Sequence, residues 1–317
     1  MRALITGAGG FAGSYLAETL LAASPAAEVW GCDITGERRP YHPPALKLLA
    51  ADLCDPAQTL AVVEQCRPDR IYHLAAQAFV GDSWSNPWQT FEANLRPQVN
   101  LFQAALTTRA ETRFLVVSSG EVYGRFPPEA LPLDENCPLR PDSPYGVSKV
   151  GQDLLGLQYY QSHGLHVVRA RPFNHIGPRQ NRRFVAPAFA SQIAAIEAGR
   201  QPPVIKVGAL EARRDMTDVR DMVQAYYLAL ELGAPGEVYN LGTGRSHSIQ
   251  ELLEVLLSFT SVPIRAEVDP ARLRPSLTPE VVCNAGRFRA ATGWAPTIPF
   301  AQSLKDLLEY ERAQLRA

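Results

Sequence analysis

Tyr145 and Lys149 are spaced to do acid–base chemistry together. They stand four positions apart just after Pro144, and residues at i and i+4 share one face of a helix. A free tyrosine titrates near pH 10, and a neighbouring ammonium stabilises the phenolate and so lowers that pKa. The pair therefore predicts a general acid or base that works near neutral pH.

Lysine is rare in this chain, which makes a lysine beside a tyrosine informative. Only four of the 31 cationic residues are lysines, namely Lys47, Lys149, Lys206 and Lys305. Compositional drift explains why arginine is abundant, but it does not explain which lysines remain. Because a compact ammonium and a planar guanidinium bind different partners, we expect Lys149→Arg to cost far more activity than stability.

A pair of serines precedes the tyrosine in the chain. Ser118 and Ser119 end an apolar run that predicts a strand over 113–119. Open parallel sheets bind their ligands at the carboxyl ends of the strands. A hydroxyl at that edge can hydrogen-bond a carbonyl or an alcohol beside Tyr145, so Ser119, Tyr145 and Lys149 form a candidate catalytic constellation.

A glycine-rich segment near residue 10 predicts a phosphate-binding turn. Gly7, Gly10 and Gly13 follow an apolar run over 2–6 and lead into a helical pattern over 11–21. Glycines in this context allow a tight turn and close approach of a pyrophosphate, and the helix N-terminus favours its negative charge. Dinucleotide binding is the favoured interpretation, and a purely structural turn is the alternative.

Asp33 bears on which dinucleotide is bound. It ends the second predicted strand, 20 residues after Gly13, where a carboxylate can accept the ribose hydroxyls of NAD and repel a 2′-phosphate. Arg38 and Arg39 follow closely and would favour the opposite choice. The expected cofactor is NAD(H) or NADP(H), with NAD(H) slightly favoured.

The elements that must position these residues alternate along the first half of the chain. Apolar runs typical of buried strands are separated by helical patterns, which predicts a Rossmann-type doubly wound parallel sheet of the α/β class. Strands are predicted at 2–6, 28–33, 46–52, 70–76, 113–119 and 166–171, and helices at 11–21, 56–66, 88–108 and 143–163.

The second half predicts a smaller C-terminal α/β substrate-binding domain. A loop is predicted at 172–183, helices at 185–198, 218–232, 248–260 and 301–314, and a strand returning to the sheet at 237–241. We expect a dinucleotide-binding domain of residues 1–171 and 217–242. Residues 172–216 and 243–300 would form the substrate domain, and 301–317 a C-terminal helix.

Composition excludes several classes of function. The 317 residues are 46% hydrophobic and 20% charged with a formal net charge of −1, so we expect a globular protein that binds no nucleic acid. Apolar runs stay well below the roughly 18 residues of a membrane span, and five scattered cysteines favour a reducing, cytoplasmic setting. The six histidines lack metal-ligand spacing, so no metal is proposed, and His73 is interpreted as a core histidine.

Motifs along the whole chain resemble those of the extended short-chain dehydrogenase/reductases that act on nucleotide sugars. The matching residues are Gly7-x-x-Gly10-x-x-Gly13, Asp52-Leu53, His73-Leu74-Ala75-Ala76, Asn94, Ser118-Ser119-Gly120-Glu121-Val122-Tyr123-Gly124, Tyr145-x-x-x-Lys149, Arg171-Pro172-Phe173-Asn174, Arg214-Asp215 and Thr292-Gly293-Trp294-x-Pro296. The resemblance implies that Ser119, Tyr145 and Lys149 are the catalytic triad. It also implies cofactor contacts at Gly7, Gly10, Phe11, Gly13, Asp33, Asp52, Leu53, Leu74, Ala75, Ala76, Lys149 and Pro172.

Within that family, the segments 173–179 and 207–215 are similar to the branch that acts on GDP-mannose derivatives. The residues of these segments are more similar to those of the 4-keto-sugar reductases. This resemblance implies NAD(P)H-dependent reduction of GDP-4-keto-6-deoxy-D-mannose to GDP-D-rhamnose. GDP-mannose 4,6-dehydratase, alone or combined with reductase activity, is the alternative. A non-catalytic dinucleotide sensor is a second alternative, although such relatives generally lose the tyrosine or the lysine. The implied substrate contacts are Asn174, Arg179, Val185, Lys206, Arg214 and Arg274.

Two acidic residues have more than one interpretation. Asp52, with Leu53, follows the third predicted strand and either reaches the adenine or caps the helix that begins at Pro56. Glu121 matches the position of the glutamate in the dehydratases, whose pattern resembles Thr-Ser-Glu where this chain has Ser119-Gly120-Glu121. Related reductases keep a glutamate as well, so Glu121 is a candidate catalytic residue, a substrate contact or a turn cap.

The resemblance also implies a homodimer. The predicted helices at 88–108 and 146–163 correspond to the pair that forms a four-helix bundle between subunits in the family. Tyr159-Tyr160 and Tyr226-Tyr227 are interpreted as helix packing or dimer surface rather than as ligand contacts.

Overall fold

The computed structural model describes residues 1–108, 111–272 and 278–316. Up to residue 172 its strands are β1 (Arg2–Thr6), β2 (Glu28–Asp33), β3 (Lys47–Ala50), β4 (Arg70–His73), β5 (Arg113–Val117) and β6 (His166–Pro172). The helices of this part are α1 (Phe11–Ala23), α2 (Pro56–Cys66), α3 (Val80–Ser85), α4 (Pro87–Thr108) and α5 (Pro144–His163).

Beyond residue 172 the elements are shorter and more mixed. The strands are β7 (Asn174–Ile176), β8 (Val204–Val207), β9 (Arg213–Asp218), β10 (Val238–Leu241), β11 (Ser246–Ser248), β12 (Arg265–Val268) and β13 (Glu280–Val281). The helices are α6 (Val185–Glu197), α7 (Val219–Leu232), α8 (Ile249–Leu257), α9 (Gly286–Thr292) and α10 (Phe300–Arg316), with short 3-10 helices at Gly120–Val122, Pro128–Ala130 and Pro270–Arg272.

A seven-stranded sheet in the order β3-β2-β1-β4-β5-β6-β10 forms the central layer, and its pairings are parallel throughout. The chain runs outward in one direction from β1 to β3 and in the other from β4 to β6. This reversal opens a crevice at the carboxyl ends of the strands. The predicted Rossmann-type sheet is confirmed, including the return of the chain at 237–241, because β10 pairs with β6.

The apolar character of β1 follows from burial on both faces of the sheet. Ala3 and Ile5 join the core that includes residues of α1 and α7, whereas Leu4 joins the core that includes residues of α2 and α4. Because successive side chains of a strand point to opposite faces, a central strand covered on both sides is apolar throughout.

The second half adds a mixed sheet of β7, β9, β11 and β13 and a parallel pair of β8 and β12. Strand β11 runs antiparallel to β9, and β7 and β13 run parallel to it. Helices α6, α8 and α10 share one apolar core over these strands. The loop predicted at 172–183 is partly wrong, since β7 lies within it. Pairing with β9 makes this three-residue strand, and no side-chain alternation is long enough to reveal it.

Two structural features are absent from the part of the chain that the structure describes. No helix in it combines the length and the apolar character that crossing a membrane requires. Within the same residues, no group of three or more His, Cys, Asp or Glu side chains is arranged to hold a metal ion.

Candidate active site

A cavity of about 760 Å³ lies at the carboxyl edge of the parallel sheet. Its lining includes residues that end or directly follow each of the first six strands, namely Gly7, Asp33, Ala51, Leu74, Ser118 and Pro172. The volume is within the range of about 300 to 1,000 Å³ typical of small-molecule sites. The strand order therefore places the cavity where doubly wound sheets bind their ligands.

The structure brings most of the predicted site residues together in this one cavity. From the predicted catalytic set it collects Ser119, Glu121, Tyr145 and Lys149. From the predicted cofactor set it collects Gly7, Gly10, Phe11, Gly13, Asp33, Asp52, Leu53, Leu74, Ala75, Ala76 and Pro172, and from the substrate set Asn174.

The glycine turn after β1 leaves no room for side chains. A Cβ atom on Gly13 would stand 2.2 Å from the carbonyl oxygen of Gly7, and one on Gly7 would stand 3.0 Å from the backbone of Ala75. Gly7 also has a φ of +72°, which glycine adopts without strain. Helix α1 begins at Phe11 without a side-chain cap, so its first N–H groups face the turn as an anion site. These features fit the pyrophosphate of a dinucleotide.

Asp33 is held at the end of β2 against the glycine turn. Its Oδ2 accepts from the backbone N–H of Gly9 at 2.9 Å, and its Oδ1 accepts from that of Ile34 at 2.8 Å. Arg38 donates to the carbonyls of Pro43 and Leu46, at 3.0 and 2.6 Å. The carboxylate thus borders the cavity, while the Arg38 guanidinium is engaged by the backbone of its own loop.

The two interpretations of Asp52 are separated by the start of α2. That helix is capped by Asp55, whose side chain accepts from the N–H groups of Ala57 and Gln58. Asp52 accepts from Cys54 N at 2.8 Å and lines the cavity with Leu53. The capping interpretation of Asp52 is therefore wrong.

The start of α5 fixes the tyrosine and the lysine. Ser143 caps the helix by accepting from Gly146 N at 3.0 Å, and Pro144 occupies its first position. Tyr145 therefore lies in the first turn and Lys149 one turn later, and both side chains are buried. The Lys149 Nζ atom lies 5.8 Å from the centre of the Tyr145 ring.

Hydrogen bonds complete this constellation. Ser119 hydrogen-bonds the Tyr145 side chain, and its Oγ also accepts from Glu121 N at 3.2 Å. The Lys149 Nζ donates to Val117 O at 3.0 Å and to Gln152 Oε1 at 2.7 Å. Ser119, Tyr145 and Lys149 thus meet where the carboxyl end of β5 faces the N-terminal end of α5.

Burial dominates the acid–base balance of the pair. It raises the pKa of the Tyr145 phenol, an effect that the Ser119 hydrogen bond opposes and the charge of Glu121 strengthens. Burial also lowers the pKa of the Lys149 ammonium to about 7. The net lowering of the Tyr145 pKa that was expected from the ammonium is not found in the protein alone, because loss of water disfavours the charged forms of both groups.

Glu121 connects the main cavity to a smaller one of about 170 Å³. Arg214, Asp142 and Thr278 line the smaller cavity. Burial raises the pKa of the Glu121 carboxyl, and the charge of Arg214 opposes this rise. The turn at Gly120–Val122 is capped by the Ser119 hydroxyl rather than by Glu121, so the turn-cap interpretation of Glu121 is wrong.

Three of the predicted substrate contacts line neither cavity. Arg179 pairs with Glu18 at 2.7 Å and stacks over the ring of Tyr15. Lys206 is half-exposed and pairs with Glu267 at 2.8 Å. Val185 packs against the apolar core of the second half. The remaining one, Arg274, lies outside the described residues.

Several cavity-lining residues were missed by sequence reasoning. Tyr226 of α7 is buried, lines the cavity and interacts electrostatically with Tyr145. Its interpretation as helix packing was incomplete, since the packing of α7 against the sheet and against α1 also brings it to the site. Gln77 lines the cavity as well, and its position directly after Ala75-Ala76 was an available signal.

Comparisons with known proteins agree with this geometry. Residues 4–307 match the family model described as GDP-mannose 4,6 dehydratase. The chain is 35% identical to GDP-6-deoxy-D-mannose reductase of Pseudomonas aeruginosa, over 99% of this chain and 98% of that protein. The structure of RMD from Pseudomonas aeruginosa complexed with NADPH is similar with a TM-score of 0.85 and 33% identity, covering 99% of this chain and 100% of that one.

A second solved structure extends the likeness beyond one activity. UDP-glucose 4-epimerase of Thermus thermophilus, in complex with NAD, is similar with a TM-score of 0.86 and 31% identity, covering 98% of this chain and 99% of that one. The family match, the parallel sheet and the shared cavity lead to one conclusion. The chain belongs to the extended short-chain dehydrogenase/reductase family of NAD(P)-dependent nucleotide-sugar enzymes, within the group that the GDP-mannose 4,6-dehydratase model describes.

Proposed function

We propose that the protein uses NAD(P)H to reduce the 4-keto group of GDP-4-keto-6-deoxy-D-mannose, giving GDP-D-rhamnose. The observation that carries this proposal is the meeting of Ser119, Tyr145 and Lys149 beside the glycine turn in one cavity. The 35% identity with a GDP-6-deoxy-D-mannose reductase, over nearly the whole of both chains, supports the choice of substrate.

In this reaction Tyr145 gives a proton to the carbonyl oxygen as that oxygen gains negative charge. Its raised pKa keeps the phenol protonated at neutral pH, so the proton that a general acid must give is in place. Ser119 donates a second hydrogen bond to the same oxygen. A bound dihydronicotinamide would supply the hydride, held by the glycine turn, Asp33 and Lys149.

Asn174 and Arg214 are the proposed contacts for the nucleotide diphosphate. Asn174 borders the main cavity and Arg214 the adjoining one. A guanidinium offers two parallel N–H donors to a phosphate, and Arg214 already lies close enough to Glu121 to oppose the rise in its pKa. The substrate would therefore extend from Tyr145 toward β9.

The packing around Gly120 distinguishes this chain from the dehydratase-like pattern. A Cβ atom at this position would lie 3.2 Å from the ring of Phe173, which itself lines the cavity. The dehydratase-like pattern places a serine here, and in this chain that serine would press on the ring. Glu121 keeps the dehydratase alternative open, because its raised pKa suits a residue that gives up a proton to a leaving hydroxyl.

We also propose that NAD(H) is the preferred cofactor. The Asp33 carboxylate lines the cavity beside the glycine turn, where it would accept from ribose hydroxyls and repel a 2′-phosphate. The opposing cation, Arg38, is held by two backbone carbonyls, and Arg39 pairs with Glu37 at 3.3 Å.

A homodimer through α4 and α5 is the proposed assembly. Trp88 on α4 is 81% exposed, and Val147 and Leu154 on α5 are 47% and 48% exposed. The last two stand seven residues apart and therefore share one helix face. Sedimentation at micromolar concentration should show the dimer, and a monomer alone would contradict it.

One pair of incubations tests the proposed reaction. Purified protein receives GDP-mannose alone in one and GDP-4-keto-6-deoxy-D-mannose with NADH or NADPH in the other. Products are identified by mass, and cofactor oxidation is followed by absorbance. We expect reduction of the keto-sugar, faster with NADH, and no keto-sugar from GDP-mannose.

Tyr145→Phe is the matched control for this assay. It removes one hydroxyl and should abolish turnover while leaving cofactor binding intact, whereas a non-catalytic dinucleotide sensor would be indifferent. Formation of a keto-sugar from GDP-mannose alone would favour the dehydratase. Glu121→Gln then separates the two activities, because it should spare reduction and stop dehydration.

A further inference from the structure

Lys149 stands at one end of a series of buried hydrogen bonds that runs from α5 across β4 to β1. Its Nζ donates to Gln152 Oε1 at 2.7 Å, and Gln152 Nε2 lies 3.4 Å from His73 Nε2. His73 Nδ1 lies 2.9 Å from Thr6 Oγ1. These four side chains are all nine-tenths or more buried, so the hydrogen bonds between them are largely shielded from bulk water.

Donors and acceptors can be assigned in only one consistent way along this series of hydrogen bonds. An ammonium only donates, so it fixes Gln152 Oε1 as acceptor and leaves Gln152 Nε2 to donate to His73. Burial and the charge of Lys149 lower the pKa of His73 to about 3, which keeps the imidazole neutral. A neutral ring that accepts at Nε2 donates from Nδ1 to Thr6.

The far end of this series of hydrogen bonds reaches the backbone of Ala75, a proposed cofactor contact that we call the floor of the cofactor site. Thr6 Oγ1 also accepts from the backbone N–H of Ala75 at 3.1 Å. Ala75 lines the cavity, and Gly7, the residue after Thr6, begins the glycine turn. One line of polar atoms thus joins the turn, the floor and the lysine.

We propose that Gln152 and His73 are positioning residues that hold the Lys149 ammonium where it acts on Tyr145 and on the cofactor. This inference rests on the proposed function, because it concerns the same lysine. Gln152 supplies the acceptor, and His73 keeps that acceptor turned toward Lys149 by occupying the amide nitrogen. A flipped amide would present N–H groups to an ammonium, which is repulsive.

The other titratable groups around Lys149 keep their identity in the Gln152 variants. Tyr145 lies on the same helix and His73 on β4. Glu121 and Tyr226 interact electrostatically with Tyr145. Asp153, the neighbour of Gln152, is bound by Arg169 and Arg171 on β6.

The rarity of lysine makes the test direct. Each of the four lysines, Lys47, Lys149, Lys206 and Lys305, can be followed separately by mass spectrometry after brief acetylation of the full-length protein with acetic anhydride. The rate of labelling against pH gives the titration midpoint of each amine. Lys149 lines the cavity and is open to a small reagent, and the other three serve as internal references.

Two Gln152 variants should move the Lys149 midpoint in opposite directions. Gln152→Met removes the acceptor and should lower the midpoint by about one pH unit, since a hydrogen bond to a charged group favours the charged form. Gln152→Glu replaces the acceptor with an anion and should raise it. His73→Phe should lower it by a smaller amount, and His73→Gln, which restores an acceptor, should return it toward the wild-type value.

Turnover provides the second measurement. Gln152→Met should lower kcat about tenfold, while the Kd for NADH, measured by fluorescence, should rise by a smaller factor because the glycine turn and Asp33 still hold the cofactor. Lys149 midpoints that stay at the wild-type value in both Gln152 variants, or move the same way, would overturn the proposal. Thermal unfolding confirms that each variant is folded, and if His73→Phe does not fold, the two Gln152 variants decide. If the keto-sugar is not a substrate, the labelling result stands independently.

Discussion

The two sides of the cavity are built in different ways. On the proposed cofactor side, Gly7, Asp33 and Leu74 each end or directly follow a strand of one parallel sheet. On the proposed substrate side, Asn174 lies on a three-residue strand, and Arg214 lies on β9 of a separate mixed sheet. The first side follows from strand order, and the second follows from how short segments pack.

This difference explains why the two sides tolerate change differently. The glycine turn is enclosed by backbone atoms, as the 2.2 Å approach at Gly13 shows, so any added atom there displaces main chain. Arg214 and Glu121 border a cavity of about 170 Å³ beside the main one, so an altered side chain there has open space on one side. We expect substrate choice to vary more readily than cofactor binding.

The largest effect should come from Lys149→Arg. A planar guanidinium cannot occupy a compact site bounded by Val117 O and Gln152, and losing a positioned acid–base partner costs about 10² to 10⁴ in rate. Steady-state kinetics should show this loss in kcat, with a melting temperature close to that of the wild type. Retention of more than a tenth of the activity would remove Lys149 from the mechanism.

Gly13→Ala should be the most damaging change on the cofactor side that spares the catalytic residues. Its Cβ clashes with Gly7 O, and overpacking of this kind costs about 1 to 3 kcal/mol. Fluorescence titration with NADH should show affinity reduced by up to about 100-fold. Gly164→Ala is the control, because that helix-end glycine has a φ of +68° and open space around it. It should lose stability and keep its affinity.

Arg214→Gln should have an intermediate effect confined to the substrate side. If the guanidinium binds a phosphate, its loss removes a charge-assisted hydrogen bond of about 1.5 kcal/mol or more. The KM for the keto-sugar should rise roughly tenfold while the Kd for NADH is unchanged. A change in NADH affinity instead would show that the two sides of the cavity are not independent.

Asp33→Asn should alter cofactor choice more than overall rate. The amide keeps the shape of the side chain but no longer repels a 2′-phosphate, so the preference for NADH over NADPH should fall several-fold. Paired kcat/KM measurements with the two cofactors give the ratio. An unchanged ratio would mean that another residue sets the preference.

Lys206→Gln should have the smallest effect of this series. Its ammonium is half-exposed and paired with Glu267, and surface pairs of this kind contribute about 0 to 1 kcal/mol. The value of kcat/KM should stay within a factor of two of the wild-type value. The melting temperature should stay within about 2 °C of that of the wild type. A large rise in KM would return Lys206 to the substrate site.

Sequence reasoning succeeded where one local rule decides position. Strand β1, the glycine turn and the Tyr145–Lys149 spacing depend on neighbours within a few residues, and each lies where it was expected. Gln152 and Tyr226 were missed because their positions beside Lys149 and Tyr145 depend on which elements pack together. Arg179 shows that a matching motif does not by itself fix the position of a side chain. The motif that contains it is present, but its guanidinium pairs with Glu18 on α1.

The place of β10 at the edge of the large sheet has a consequence for synthesis of the protein. Strand β6 ends at Pro172, and its outer neighbour begins only at Val238. At about 5 to 20 residues per second, a growing chain carries β6 with an open hydrogen-bonding edge for roughly 3 to 13 seconds. Open edges invite pairing with other chains. We therefore expect the ribosome-bound intermediate to expose this strand to pairing with other chains until residues 238–241 have been made.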